Sequence, residues 1–174
     1  MAADNLGASA KDQAERILRD IWALIAGGRH FPVDPIRIAG SLDITVYRVP
    51  LDQRLAGVLV KESGRDVAIL LNDADSKNRQ RFTCAHEIGH YVRRETTLSG
   101  EYNVIDERSQ LTSTGSDETE RLANQFAACL LMPEDEVKKR VRKGLPAYEL
   151  VSAFGVSQEA LGWRLADLKL TVKG

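Results

Sequence analysis

His86, Glu87 and His90 stand in the order His-Glu-x-x-His, a spacing that is useful only on a helix. Residues four apart lie one turn above each other on one face, so both imidazoles can reach a single point. There they can grip one Zn²⁺, with Glu87 beside the coordination position left open. The pattern also constrains the fold. Catalytic zinc takes three protein ligands, so a second element must pack against this helix and deliver the third. Five residues with three defined positions are a weak filter alone, and the competing reading is a pair of ordinary helix histidines. The chain holds only three histidines, and two of them fall in this pattern.

A source for the third ligand lies in Glu120-Arg121-Leu122-Ala123-Asn124-Gln125-Phe126. Leu122, Phe126, Cys129 and Leu130 form an apolar stripe, and Glu120 and Asn124 fall on a different face, because two helical residues subtend about 200°. A carboxylate one turn before an amide suits a ligand followed by a group that orients another ligand. Asn124 can accept the free N–H of a metal-bound histidine and set its tautomer. The alternative makes Glu120 a capping acid serving Asp117 in a capping box. From the residues alone both readings stay open. Glu118, the other acid in reach, lacks a companion four residues on.

Glu87 can be a solvated helix acid or, beside two ligands, a general acid/base at the fourth position. His30, in Gly-Gly-Arg-His-Phe-Pro, reads as a loop histidine without a partner pattern. Cys84 lies two residues before His86, about 200° round the helix, and so points away from a metal on the histidine face. Cys84 and Cys129 are the only cysteines and read as buried, reduced thiols.

The rest of the chain frames these segments. Residues 8–26 show helical spacing, stopped by Gly27-Gly28, and Asp34 to Ala39 is a short helix entered through Pro35. Strand-like runs follow at Ile44–Val49, Leu55–Val60 and Asp66–Leu71, the last two joined by Ser63-Gly64-Arg65 as a hairpin signal. A long helix from Asp75 or Asn78 to Arg94 carries the histidines. Glu95–Gly115 is a long polar loop, a candidate lid. Ser116 caps a helix to Leu131; helices from Pro133 to about Lys143, Pro146 to Phe154 and Gln158 to Leu168 complete the chain. Strands followed by helices indicate an α+β class with a short, mostly antiparallel sheet. The expected organisation is a single domain over residues 1–174: an N-terminal helix and loop (8–31), a zinc-binding core (32–131) and a helical C-terminal extension (132–174).

Twenty-four basic against 25 acidic residues leave a net charge of −1, so no global field draws the chain to nucleic acid or membrane. The early apolar run 21–26 is too short to span a bilayer, and a cytoplasmic location is expected. Lys138, Lys139, Arg140, Arg142 and Lys143 crowd a helix C-terminus, where dipole matching accounts for them. The last two helices read as helix-turn-helix-like, with Gly155 at the turn and Ser157 as cap. The second offers Gln158, Glu159 and Gly162 at its start and only Arg164 further on, a poor surface for phosphate. Packing, without direct contact to nucleic acid, is the better account.

Arg81-Phe82-Thr83-Cys84-Ala85-His86-Glu87-Ile88-Gly89-His90, with Glu120 through Asn124-Gln125-Phe126-Ala127-Ala128 to Leu130-Leu131-Met132-Pro133, resembles the ImmA/IrrE family of metallopeptidases. The likeness is nearly unbroken over both helices and looser from Val33 to Leu168; Leu122 stands where many relatives have a second acid. The resemblance implies a small gluzincin-like domain, one Zn²⁺ per chain held by His86, His90 and Glu120, and Glu87 as catalytic acid/base. It further implies a protein substrate, a helix-turn-helix transcriptional repressor. A substrate strand would add to a sheet edge among the runs between Ile44 and Leu71. Tyr47, Tyr91, Tyr102 and Tyr148 are the tyrosines available to support an oxyanion. Two other classes compete: a non-catalytic, zinc-stabilised module that sequesters a regulator or antitoxin-like partner, and a DNA-binding regulator.

Overall fold

The structure, a computed structural model, describes residues 9–61, 65–94, 102–107 and 118–172, of which 94 and 102–107 as backbone only. Helix α1 (Ala10–Ile17) begins at a capping box: Ser9 Oγ accepts from Asp12 N–H and the Asp12 carboxylate accepts from Ser9 N–H. It continues through a π-helical stretch (Leu18–Trp22) and a final α-turn (Ala23–Ala26), ending at Gly27 with φ 71°. Left-handed backbone there costs glycine nothing, which is why the helix stops where it does. Asp34 caps α2 (Pro35–Ser41), its carboxylate accepting from Ile36 and Arg37 N–H.

Strands β1 (Ile44–Val49), β2 (Leu55–Lys61), β3 (Val67–Asn72) and β4 (Tyr102–Glu107) form one sheet in the order β1-β3-β2-β4. β1 runs parallel to β3, whereas β2 is antiparallel to both β3 and β4. The mostly antiparallel sheet and the α+β class agree with expectation. The β2–β3 pairing is the one the hairpin signal called for, although residues 62–64 lie outside the described part. Alternation along β3 buries Val67, Ile69 and Leu71 and turns Ala68 and Leu70 to the other face. Tyr47, the register partner of Leu70, shares that outer face, which lines a surface cavity with Thr45, Arg65 and Ala68.

One expectation needs correction and another is narrowed. Residues 95–115 are not loop throughout, because β4 lies within them. Its Tyr102, Val104 and Ile105 favour extended backbone, and β2 supplies a free row of backbone donors and acceptors. No short-range pattern reveals such a distant partner. The edge expected among the strands between Ile44 and Leu71 narrows to one. Of these three, among the described residues, only β1 keeps a bare edge, since β2 and β3 are paired on both sides. The proposed Ser116 cap and the remainder of the polar stretch lie outside the described residues.

The buried sheet face is covered by α3 (Lys77–Arg94), which packs on β2 and β3 and, on its other side, against α4 (Glu118–Leu131). α1 packs on α4 in turn, burying Ala10, Ala14 and Ile17. Helices α5 (Glu134–Arg142), α6 (Ala147–Phe154) and α7 (Gln158–Asp167) close the core with Val137, Leu150, Phe154, Val156 and Leu161. The turn between α6 and α7 is tied to the start of α3: Arg81 donates to the carbonyls of Gly155, Phe154 and Val33, and Asn78 to that of Val156. Gly155 (φ 62°) and the Ser157 cap stand as expected. Arg164, the one cation of α7, is 4% exposed and donates to Met132 O and Asp167. Of the basic cluster on α5, Lys138, Lys139 and Arg140 are paired with Glu134 or Glu136. Among the described residues no helix is long and apolar enough to cross a membrane.

Candidate metal centre

The turn that launches α3 is held by two amides. Asn72 Nδ2 donates to the carbonyls of Leu51, Asp52 and Leu55, while its Oδ1 accepts from Ala74 N–H. Gln80 Nε2 donates to Asn72 O and Asp75 O, and Gln80 Oε1 accepts from Arg48 Nε. Buried amides with this many partners leave little positional freedom. They join the β1–β2 connection to the start of α3 and so set where β2 crosses the helix.

It crosses at Gly57. A Cβ there would lie 2.5 Å from Thr83 Cγ2, 3.2 Å from Leu70 O and 3.3 Å from Glu87 Oε1. Only glycine permits this approach, and it brings the β2 backbone against the Glu87 carboxylate. The sequence reading missed Gly57; the available signal was a glycine inside a strand, which marks a bulge or a close backbone approach. A second close approach seats α4 on α3. A Cβ at Gly89 would lie 3.0 Å from Phe126 Cδ1 and 3.2 Å from Phe126 Cβ. Phe126 is fully buried, and its contact with Gly89 fixes the spacing of the two helices two residues from Asn124 and six from Glu120.

Across that seam the side chains converge. His86 Nε2 and His90 Nε2 are 2.9 Å apart, Glu120 Oε2 is 3.1 Å from His86 Nε2, and Glu120 Oε1 is 3.2 Å from His90 Nε2. His86, Glu87 and His90 are essentially inaccessible, and the Glu120 side chain is 12% exposed. Burying so much polarity in one place is costly unless the groups satisfy one another or a bound cation.

Asn124 bears on the protonation pattern. Its Oδ1 lies 2.9 Å from His86 Nδ1; as a carbonyl oxygen it accepts, so Nδ1 donates. In the neutral ring this leaves the lone pair on Nε2, aimed at His90 and Glu120. Burial alone would raise the Glu120 carboxyl, but hydrogen bonds from protonated His86 and His90 and their positive charge outweigh it and hold it well below the usual carboxylate range; a cation would take the place of those Nε2 protons. An ionised carboxylate and an oriented imidazole lone pair are the states a cation requires.

The dimensions agree. One donor atom each from His86, His90 and Glu120 lie within 4.8 Å of one another. Tetrahedral bonds of ~2.0–2.1 Å place ligand atoms roughly 3.3 Å apart, so the observed spacings need to open by only a few tenths of an ångström. Glu120 thus faces the histidines, and Asn124 meets His86 as its helical spacing suggested. Cys84 is buried outside this group, its thiol pushed up by desolvation. His30 is exposed, its carbonyl accepting from Trp22 Nε1. Tyr47 and Tyr148 are 51% and 70% exposed, Tyr47 on the sheet face away from α3; Tyr102 is described as backbone only.

A sheet backed by a His-Glu-x-x-His helix, with a second helix lending a carboxylate, is the architecture of a metallopeptidase domain. The chain belongs to the ImmA/IrrE family: residues 39–166 match the family described as the IrrE N-terminal-like domain. The match takes in both helices of the candidate site and all four described strands, leaving α1 outside it. No curated protein matches the chain.

Proposed function

We propose that the chain is a zinc-dependent endopeptidase that cuts one regulatory protein in the cytoplasm, a helix-turn-helix repressor, and so switches gene expression. The observation that carries this reading is the convergence of His86, His90 and Glu120, with Asn124 orienting His86. These three would hold one Zn²⁺. When bound, it supplies Lewis acidity, polarising the scissile carbonyl and bringing the pKa of water toward ~7.

The remaining work falls to the chain's own groups. Glu87 sits between the two histidines in sequence, fully buried, with Oε1 against β2 at Gly57. Its carboxylate takes a proton from the attacking water and passes it to the leaving amine, which is general base and then general acid catalysis. Burial excludes bulk water and strengthens each electrostatic contact in the site. An extended substrate presents its carbonyl to this corner by pairing with a strand edge. The substrate class rests on the family: its members act on proteins, and repressor cleavage is the reading carried over to this chain.

Elemental analysis and a cleavage assay test the proposal together. Wild type should carry close to one zinc per chain and cut a helix-turn-helix repressor offered as substrate. Glu87→Gln should keep the metal and lose cleavage. Undiminished biological output from Glu87→Gln would favour sequestration of the partner instead.

A further inference from the structure

β4 occupies the edge of β2 that lies beside Glu87. β2 is the strand pressed on the catalytic helix, through Gly57 against Thr83 and Glu87. Its outer side is therefore the edge nearest the catalytic carboxylate, and an extended substrate would pair there. In the structure that side is taken. Lys61, Val60, Leu59 and Val58 pair with Tyr102, Asn103, Val104 and Ile105, and Gly57 with Asp106. The register then slips between Leu55 and Gly57, so the ladder is interrupted beside the point of contact with Glu87. β4 runs antiparallel to β2, the pairing that is slightly the more stable per residue. In sequence it sits between the two metal-facing helices, joined to α3 by residues 95–101 and to α4 by 108–117.

We propose that β4 is an internal strand that occupies the substrate-binding edge of β2 and is displaced when the protein substrate docks. The proposal rests on the peptidase reading for what replaces β4, but the displacement itself is a property of strand pairing. Six residues of ladder, bulged at one end and, among the described residues, backed by no further strand, form the kind of edge that opens locally without global unfolding. Competition with a built-in strand also gives selectivity. An edge free one-tenth of the time reduces the apparent affinity of every ligand about tenfold, and only a partner with contacts beyond the ladder recovers that loss.

The test separates the strand from the chemistry. Val104→Pro/Ile105→Pro removes donors at two adjacent positions, one of which must face β2. A fluorescein-labelled peptide of residues 100–109 is the probe, read by anisotropy on the full chain. It should bind the proline variant at least ~10-fold more tightly than wild type. The same variant should digest denatured casein ~10-fold faster. Equal peptide binding to both proteins, or binding to neither, overturns the proposal. Tight binding to the variant with no hydrolysis by either protein supports the displaceable strand and counts against the peptidase reading alone.

A cross-linked variant guards against misfolding of the proline variant. Val60 and Asn103 are Cα partners, at a separation typical of strand neighbours that a disulfide can span. Oxidised Val60→Cys/Asn103→Cys should slow amide exchange along residues 57–61 and block casein digestion, both reversed by reductant. Unchanged exchange and unchanged digestion in the fully cross-linked protein would show that β4 never leaves, and would overturn the proposal.

Discussion

Glu120 and Glu134 are each gripped by two basic side chains, and only one of the two places is a candidate metal site. Glu120 on α4 meets His86 and His90 of α3. Glu134 on α5 meets Lys11 of α1 at 2.6 Å and Lys138 of its own helix at 2.5 Å. Both lie in the first turn of a helix, and both are held below the usual carboxylate range. What differs is the partner and the solvent. The lysines are 44% and 37% exposed, and their ammonium heads have no lone pair to share. The histidines are sealed in the seam, and one is set by Asn124 to present its lone pair. The same pairing on paper is a surface latch in one place and a set of metal donors in the other.

The largest effect that sharpens this contrast is loss of a donor. Glu120→Ala or His90→Ala should cost more than ~100-fold in zinc affinity, a share of the roughly 10–16 kcal/mol that a protein zinc site commands. Competition with a chromogenic chelator measures it. Unchanged affinity in Glu120→Ala would reduce Glu120 to an ordinary helix acid like Glu134. Next comes the seam itself. Gly89→Ala places a methyl against Phe126, an overpacking worth about 1–3 kcal/mol, and should lower both the thermal midpoint and zinc affinity. Trimming the facing side chain in Gly89→Ala/Phe126→Leu should restore part of each. If affinity holds while stability falls, helix spacing does not control the donor geometry.

Asn124→Ala should weaken metal binding or activity about 10- to 100-fold while the fold survives. A loss of stability like that of a buried Phe126→Ala truncation, about 3–5 kcal/mol, would make Asn124 structural. The smallest effect belongs to the latch. Hydrogen bonds from Lys11 and Lys138, with their charge, bring Glu134 from an ordinary 4.5 to about 2. Its contribution is therefore fully present above pH 4.5 and fades as the pH falls toward 2. Exposed as it is, the pair is worth less than ~1 kcal/mol. Glu134→Gln should melt slightly below wild type at pH 6, with the gap closing near pH 2.5; a gap that widens on acidification would contradict this.

How far the site could be read in advance follows the same division. His86, Glu87 and His90 were legible because a helix places fourth neighbours together whatever surrounds it. The cap at Ser157 and the stops at Gly27 and Gly155 were equally local, and all appear where the residues indicated. Glu120 was left with two readings, since a first-turn acid looks the same in sequence whether it faces its own backbone or another helix. β4 escaped because six residues within a polar stretch become a strand only when an edge is there to pair with. Gly57 escaped for a related reason: one glycine in a strand signals close approach without saying to what.

By itself, then, the sequence determined the periodic and the local: which segments coil or extend, where they stop, and which two imidazoles share a face. These depend on torsional preference and on hydrogen bonds spanning a few residues. Tertiary structure alone decided what depends on docking. Gly89 against Phe126 brings a carboxylate on α4 to within 3.2 Å of histidines on α3. Gly57 lays β2 on Glu87, and β2 in turn offers its outer edge to residues 102–107. Each of these joins positions tens of residues apart, and the contact exists only because buried packing holds both partners in place.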